Sequence, residues 1–122
     1  MTRIIIARHG ESESNRLHCL AGHLDLDLTE IGYQQAEETA AYLAGEPIAA
    51  VYSSSLQRAV HTAEPHAKRR GLPVIACDEL RELYCGEWEG RRVDELVNKL
   101  RKGQHILKVN CGCKITTFLS VV

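Results

Sequence analysis

A short apolar segment that ends in a polar corner constrains the fold of this chain more than any other feature. Residues 4–7 read Ile-Ile-Ile-Ala, and Arg8, His9 and Gly10 follow at once. The apolar run is too short for a helix and rich in β-branched residues, so it predicts a buried strand of a parallel sheet. Open α/β sheets bind ligands at the carboxyl ends of their strands, which makes this corner a candidate site.

The three residues of the corner are suited to phosphoryl chemistry. Arg8 offers a planar, permanently charged fork that matches phosphate oxygens. His9 is a nitrogen nucleophile that is neutral near physiological pH. Gly10 allows a sharp turn and a close approach of the backbone to a ligand. Together they predict the start of a phosphoryl-transfer site.

The size and charge of the chain exclude several classes of function. It has 122 residues, of which 44% are hydrophobic and 25% charged, as in a soluble single domain. Its 15 basic and 16 acidic residues nearly cancel, so no bulk field attracts nucleic acid or a membrane surface. No apolar stretch is long enough to cross a bilayer. We therefore expect a small phosphorylated substrate as partner, with no nucleic acid and no membrane.

The cysteines favour a reducing, cytoplasmic location. There are five, an odd number at irregular spacing, and no export signal precedes them. Cys111 and Cys113 form a Cys-Gly-Cys pair, but a metal site needs a further pair of ligands nearby. We expect neither a metal nor a cofactor.

Two helices are predicted in the first 45 residues. Ser12 or Ser14 is the expected cap of a short first helix, and Thr29 caps the second. One face of the second helix carries apolar residues near helical spacing, namely Ile31, Ala36, Ala40 and Leu43. Residues 45–47, Gly-Glu-Pro, end this helix.

Strand and helix patterns continue to alternate up to residue 102. Strands are predicted at residues 49–52 and 73–77, and helices at 56–70 and 93–102. The serines at residues 53–55 are the expected cap of the 56–70 helix, and Gly71 ends it. Such alternation favours parallel βαβ units with right-handed crossovers.

The last twenty residues differ in character. Residues 103–122 lack the alternation, which divides the chain into 1–102 and a divergent tail. The β-branched segment 115–122 is either a strand or an exposed apolar tail. We expect the chain to stop before its sheet is complete.

Two later segments add candidate site residues. Arg58 lies on the first turn of a helix that follows a strand, which places it at the same sheet edge as Arg8. Taken alone, it is more often an exposed helix arginine. Glu82 lies in the 78–90 loop beside glycines and Trp88, where a carboxyl group is either a general acid or one charge of a solvated loop.

Four motifs in fixed order resemble those of the histidine phosphatase superfamily. They read Arg-His-Gly-Glu-Ser at residues 8–12, Leu-Thr-Glu-x-Gly at 28–32, Tyr-Ser-Ser-x-Leu-x-Arg-Ala at 52–59, and Leu-Arg-Glu-x-x-x-Gly-x-Trp-Glu-Gly at 80–90. The resemblance is to the phosphoglycerate mutase-like branch and covers residues 3 to about 97. It implies a three-layer α/β/α fold with a mostly parallel sheet, incomplete here at the C-terminus.

The resemblance also implies a role for each matching residue. His9 is the nucleophile that becomes a phosphohistidine, and Glu82 protonates the leaving oxygen and later activates water. Phosphoryl transfer depends mainly on positioning and charge stabilisation, so arginines can serve where other enzymes use magnesium. The implied phosphoryl-binding residues are Arg8, Asn15, Ala21, Gly22 and Arg58.

This sequence departs from the family pattern at two points. Members carry a second essential histidine in a later His-Gly motif, whereas His105, the only histidine after the Glu82 loop, precedes Ile106. Ala21 stands where the family usually has glutamine. Losing one charge-stabilising group typically costs a factor on the order of 10²–10³ in rate.

The leading prediction is a phosphatase of small phosphomonoesters, with activity weakened or lost through the missing histidine. One alternative is a phosphoglycerate mutase-type phosphoryl transferase, in which Arg91 and Arg92 replace the basic segment that grips a second acidic group. Another is a truncated, non-catalytic form that binds phosphorylated ligands. The sequence leaves the oligomeric state open.

Overall fold

Four strands form one sheet among residues 2–102 and 118–121, the part of the chain that the computed structural model describes. They are β1 (Ile4–Ala7), β2 (Ala50–Ser54), β3 (Val74–Cys77) and β4 (Phe118–Val121), in the order β1-β4-β2-β3. The pairing of β2 with β3 is parallel, and β4 is antiparallel to both of its neighbours. Three of these four strands therefore share one direction, and the predicted α/β fold with a mostly parallel sheet is confirmed.

The position of β4 was not predicted. Ser120 pairs with Ile5 of β1 on one side and with Val51 of β2 on the other. The strands β1 and β2 run in the same direction, as the predicted parallel βαβ units require, but β4 lies between them and supplies the hydrogen bonds that join them. For residues 118–121 the strand alternative is confirmed, and residues 103–117 and 122 lie outside the described part.

Four α-helices and two short 3₁₀ turns accompany these strands in the described ranges. The helices are α1 (Glu13–Arg16), α2 (Glu30–Tyr42), α3 (Gln57–Lys68) and α4 (Val93–Arg101), and the turns are Asp78–Leu80 and Gly86–Trp88. None of the described helices has the length and apolar character needed to cross a bilayer.

The start of α2 follows the sequence prediction, but its buried face does not. The Thr29 hydroxyl accepts the Gly32 N–H at 3.1 Å, which confirms the predicted cap. The buried residues are Gly32, Ala36 and Ala40, spaced by four. Ile31 is 54% exposed, so its assignment to the buried face is wrong. Small residues permit α2 to lie close to its neighbours, which the hydrophobic pattern alone does not reveal.

The cap of α3 comes from a distant loop. The predicted serine cap is wrong: Leu56 is the N-cap residue, and Ser53 and Ser54 extend β2. The Gln57 N–H instead donates to Asp25 Oδ1 at 2.7 Å. This bond joins the loop before α2 to the first turn of α3, which carries Arg58.

The core lies between β2 and α3. Val51 and Ala63 are fully buried there together with Ile48 and Ala67, and Ala7 of β1 packs against this cluster. Strand side chains alternate between faces, so Ile4 and Ile6 lie on the opposite face from Ala7. They are 52% and 54% exposed. The prediction that β1 is buried on both faces is therefore wrong for the part of the chain described.

Candidate active site

The Arg8-His9-Gly10 corner follows β1 and is anchored to α3. The Gly10 N–H donates to Thr62 Oγ1 at 3.0 Å, and the Thr62 hydroxyl donates to the Arg58 carbonyl at 2.7 Å. Thr62 is buried, with 2% of its surface exposed. This hydroxyl thus ties the corner to the turn of helix that carries Arg58.

Gly10 is required for close packing against α2, a role that the sequence did not reveal. A Cβ at this position would lie 2.4 Å from the carbonyl oxygen of Gly32, which is a backbone atom. A Cβ on Gly32 would in turn lie 2.0 Å from the carbonyl oxygen of Glu11. The two glycines let the corner cross the first turn of α2 in close contact.

The hydrogen bond of His9 fixes which ring nitrogen is free to react. Its Nδ1 lies 2.7 Å from the Gly10 carbonyl oxygen, which only accepts, so Nδ1 carries the hydrogen. The neutral ring then has its lone pair on Nε2, and Nε2 makes no hydrogen bond within the described residues.

The electrostatic surroundings keep this ring neutral. Burial lowers the pKa of His9 below its usual value, and the positive charges of Arg58 and Arg8 lower it further. The Gly10 carbonyl and Glu82 act in the opposite direction without reversing the shift. An unprotonated Nε2 is the form that a nitrogen nucleophile needs.

Arg58 is a buried cation held by a loop. It is 2% exposed, and its terminal nitrogens donate to the carbonyls of Leu24 at 2.9 Å and Gly22 at 3.0 Å. Burial lowers the pKa of Arg58, yet a guanidinium remains charged at any physiological pH. Two of its five N–H groups are used in this way, and the rigid fork presents the others at a fixed angle.

Arg8 and Asn15 complete the cationic and polar side of the site. Arg8 is exposed and forms no ion pair with any described residue. Asn15 Oδ1 accepts both the Ser12 N–H at 3.0 Å and the Ser12 hydroxyl at 2.9 Å. The acceptor end of this amide is therefore occupied, and its NH₂ group is the part that remains for an anion.

Glu89 organises the loop that contains Ala21 and Gly22, a contact that sequence reasoning missed. Its Oε1 accepts the His23 N–H at 2.7 Å and the Cys85 N–H at 3.1 Å. A Cβ on Gly22, whose φ is +52°, would lie 2.1 Å from this oxygen. The Trp-Glu-Gly pattern pointed to Glu89, but its contacts with Gly22 and His23 join positions that are far apart in sequence.

Glu82 is held from the same loop. Its carbonyl oxygen lies 2.8 Å from His23 Nε2, and its Oε1 accepts the Leu83 N–H at 3.1 Å. No role for His23 is predicted from the sequence. Its ring connects the Gly22 loop with the backbone of the residue proposed as general acid.

All seven sequence-predicted site residues line one cavity of about 340 Å³. They come from the β1 corner, α1, the loop before α2, the first turn of α3 and the segment after β3. Five further residues complete the wall. The seven are Arg8, His9, Asn15, Ala21, Gly22, Arg58 and Glu82, and the five are Ser14, Cys19, Leu20, Leu83 and Cys85.

The described residues contain no group of three or more histidine, cysteine or acidic side chains arranged to hold a metal ion. His105, Cys111 and Cys113 lie outside the described part of the chain. The positive charge in the described cavity is that of Arg8 and Arg58.

Comparison with known proteins decides the family. The model of the histidine phosphatase superfamily (branch 1) matches residues 4–108. The chain belongs to the histidine phosphatase superfamily. Its sequence is 39% identical over 99 residues to phosphoserine phosphatase 1 of Hydrogenobacter thermophilus, covering 81% of this chain and 47% of that protein. It is 38% identical over 102 residues to a probable phosphoglycerate mutase of Photorhabdus laumondii, and the match covers 84% of this chain and 47% of that protein.

Solved structures of histidine phosphatases share the fold. A phosphoserine phosphatase from Entamoeba histolytica, in complex with 3-phosphoglyceric acid, aligns with a TM-score of 0.72 and 34% identity. The alignment covers 93% of this chain and 58% of that one. A mycobacterial glucosyl-3-phosphoglycerate phosphatase aligns with a TM-score of 0.74 and 30% identity, and the alignment covers 85% of this chain and 50% of that one. The chain spans about half the length of the relatives it matches.

Proposed function

We propose that this chain carries the phosphate-binding and nucleophilic part of a phosphatase that acts on small phosphomonoesters. The observation that carries the proposal is the placement of His9 in one cavity with two arginines, with Nδ1 bonded to a carbonyl and Nε2 left for a ligand. A neutral imidazole beside two positive charges, one of them fixed by carbonyl groups, is suited to attack on a phosphoryl group.

The proposed reaction has two transfers. His9 Nε2 attacks phosphorus, the ester P–O bond breaks, and Glu82 gives its proton to the leaving oxygen. Water then attacks the phosphohistidine while Glu82 takes a proton from it, and the P–N bond breaks to release phosphate. Glu82 lines the same cavity as His9, as both transfers require.

The charge of the transferred group would be balanced by side chains already in place. Arg58 is fixed by two carbonyls and Arg8 is not ion-paired within the described residues. The amide of Asn15 adds neutral donors. Donors that are oriented in advance stabilise the transition state without reorganising during the reaction.

The substrate class follows from the size of the cavity and from the relatives. A cavity of about 340 Å³ accommodates a small molecule. Named relatives include a phosphoserine phosphatase, a glucosyl-3-phosphoglycerate phosphatase and an adenosylcobalamin/α-ribazole phosphatase. Each of these names describes a phosphate ester of a small molecule.

A mutase activity is the second candidate, and similarity to a probable phosphoglycerate mutase favours it. It requires a basic group for a second acidic moiety, for which Arg91 and Arg92 were the sequence candidates. Arg91 Nε donates to the Glu87 carbonyl, and Arg92 pairs with Asp94. Neither arginine lines the cavity, which supports hydrolysis over mutase transfer. Phosphate release assayed beside 2-/3-phosphoglycerate interconversion separates the two.

The proposal is tested by replacing Arg8 and, as a matched control, Arg16. Arg16 is an exposed arginine that pairs with Glu13 and lies outside the cavity. We expect Arg8→Ala to weaken inorganic phosphate binding and to lower p-nitrophenyl phosphate hydrolysis by roughly 10²-fold, with Arg16→Ala unchanged.

Calorimetry with phosphate and the hydrolysis assay give three separable outcomes. Binding with turnover, both of which decrease in Arg8→Ala, supports the phosphatase. Binding without turnover supports the non-catalytic phosphate-binding form. Equal behaviour of the two variants contradicts the assignment of this cavity.

A further inference from the structure

The ring of His23 contacts the backbone of Glu82, although 59 positions separate the two residues in the chain. Its Nε2 lies 2.8 Å from the Glu82 carbonyl oxygen. A carbonyl oxygen only accepts, so Nε2 carries the hydrogen and donates it, whether the imidazole is neutral or charged. This hydrogen bond therefore holds in both protonation states of the ring.

His23 itself lies between the two carbonyls that bind Arg58. The carbonyls of Gly22 and Leu24, one on each side of it, accept from the guanidinium at 3.0 and 2.9 Å. The His23 N–H donates to Glu89 Oε1 at 2.7 Å. The backbone on both sides of the ring is thus fixed.

These contacts link the arginine proposed to bind phosphate with the proposed general acid. Arg58 and Glu82 both line the cavity, but they come from α3 and from the segment after β3. Hydrogen bonds no longer than 3.0 Å lead from the guanidinium to the carbonyls at 22 and 24, and from the ring of His23 to Glu82. The position of one group is therefore tied to that of the other.

The carboxylate of Glu82 also has a local contact. Its Oε1 accepts the N–H of the next residue, Leu83, at 3.1 Å. This bond orients the carboxylate relative to its own backbone, and the His23 bond orients that backbone relative to the cavity. A general acid must lie within hydrogen-bond reach of the leaving oxygen, so a shift of about 1 Å is enough to weaken its action.

We propose that His23 is a positioning residue, whose ring N–H holds Glu82 at the place that proton transfer to the leaving oxygen requires. This inference rests on the proposed function, because it concerns the acid step of that reaction. His23 does not line the cavity and acts through Glu82. Its effect is therefore greatest where the leaving group most needs a proton.

Three substitutions separate the N–H of His23 from its ring. The ring lies against Tyr84, with 5.3 Å between the two centroids. His23→Phe keeps a ring but has no donor, His23→Leu has neither, and His23→Gln has no ring but retains an N–H donor on a side chain of similar reach. His18→Asn is the control, because His18 is exposed and outside the cavity.

The kinetic experiment compares p-nitrophenyl phosphate with phenyl phosphate in the full chain. The two esters have similar size, but p-nitrophenolate is the less basic leaving group and departs without a proton. We expect His23→Phe and His23→Leu to lower kcat/KM for phenyl phosphate by about 10-fold or more, and for p-nitrophenyl phosphate by less than about threefold. His23→Gln and His18→Asn should retain both values.

The titration of His9, followed by nuclear magnetic resonance, tests the same contact without turnover. Glu82 raises the pKa of His9, although burial and the arginines lower it overall. Glu82→Gln therefore gives the decrease in the His9 pKa for complete loss of this charge. We expect His23→Leu to show part of that decrease relative to His23→Gln, in which the titrating ring of residue 23 is also absent.

Equal losses with both esters, wild-type kinetics in His23→Leu, or the same His9 pKa in His23→Leu and His23→Gln would overturn the proposal. Loss of cooperative unfolding in both variants without a donor would also overturn it, because His23 would then be needed for the fold itself. If the full chain hydrolyses neither ester, the proposed function fails, and the His9 pKa still decides whether His23 positions Glu82.

Discussion

Opposing influences act on the imidazole of His9. Burial and the two neighbouring arginines lower its pKa, whereas the Gly10 carbonyl and Glu82 raise it. The first group prevails, so the ring is neutral at pH 7 and the hydrogen bond to Gly10 keeps the lone pair on Nε2. The two arginines proposed to bind phosphate thus also favour the neutral form of the proposed nucleophile.

His66 on α3 makes the stability of the fold depend on pH. It is fully buried, and burial together with Arg70 and Arg69 lowers its pKa to about 4. Between that value and the unfolded pKa of about 6.5, the unfolded chain binds a proton that the folded chain does not. Stability therefore rises with pH across this window and falls as the pH drops from 6.5 toward 4.

We expect His66 to lower the free energy of unfolding by up to about 1.4 kcal/mol for each unit by which the pH falls within this window. Urea denaturation between pH 4.5 and 7.5 measures the slope, and His66→Gln should reduce it. His18→Asn is the control, because His18 is exposed and has a φ of +54°, a conformation that asparagine tolerates. The same slope in His66→Gln as in the wild type would exclude His66 as the cause.

Individual site residues could be recognised from the sequence where a chemical group follows a structural signal. Arg8 and His9 come directly after the apolar strand β1, and Arg58 lies in the first turn of α3, the helix that follows β2. The roles of Thr62 and Glu89 were not predictable in this way. Each acts on backbone groups more than 50 residues away in sequence, and only the fold brings these groups together.

At the scale of elements, two loops form one unit around the cavity. The loop at residues 18–24 and the segment at 82–93 share backbone hydrogen bonds and the carboxylate of Glu89. This unit holds Gly22, whose carbonyl supports Arg58, and the backbone of Glu82. The unit thus positions the proposed phosphate-binding residues and the proposed acid–base residue together.

Replacing Glu89 should loosen this unit. Glu89→Ala leaves the N–H groups of His23 and Cys85 without this acceptor, and because both bonds are partly buried each costs less than the about 1–3 kcal/mol of a fully buried donor. We expect lower stability to urea and weaker phosphate binding by calorimetry, with Glu89→Gln less affected because it keeps an acceptor oxygen. Glu87→Ala, at an exposed neighbouring position, is the control. Normal phosphate affinity in Glu89→Ala would show that the two loops do not depend on this carboxylate.

Element boundaries could be predicted where the signal is local. Thr29 caps α2, and the ends of α4 agree with the sequence pattern to within one residue. The start of α3 was also predicted to within one residue, but its capping group was not, because Asp25 of a preceding loop and not an adjacent serine accepts the Gln57 N–H. Local hydrogen-bonding propensity favoured the serines, but β2 uses two of them as strand residues.

For the whole molecule, the decisive feature is the place of β4 between β1 and β2. The sequence predicted the alternating α/β pattern but not this order, because strand order depends on long-range pairing. One face of the sheet packs against α3, while Ile4 and Ile6 on the other face are about half exposed among the described residues. The hydrogen bonds between β1, which precedes the His9 corner, and the core strand β2 therefore run through β4.

A proline in β4 tests this dependence. Ser120 pairs with both neighbouring strands, and Ser120→Pro removes its backbone N–H from the ladder. We expect a loss of cooperative thermal unfolding and of phosphate binding, whereas Ser120→Ala, which keeps the N–H, should retain both. A stable, phosphate-binding Ser120→Pro variant would show that β1 is held to the sheet without β4.

The most direct test of the account is to trap the phosphorylated protein with radiolabelled p-nitrophenyl phosphate under rapid denaturation. If His9 is the nucleophile, the label is acid-labile and base-stable, maps to the peptide containing residue 9, and is absent from His9→Gln. The exposed histidine variant His18→Asn should be labelled like the wild type. Label that persists in His9→Gln, or that maps to any other residue, would contradict the assignment of His9 as the phosphoryl acceptor.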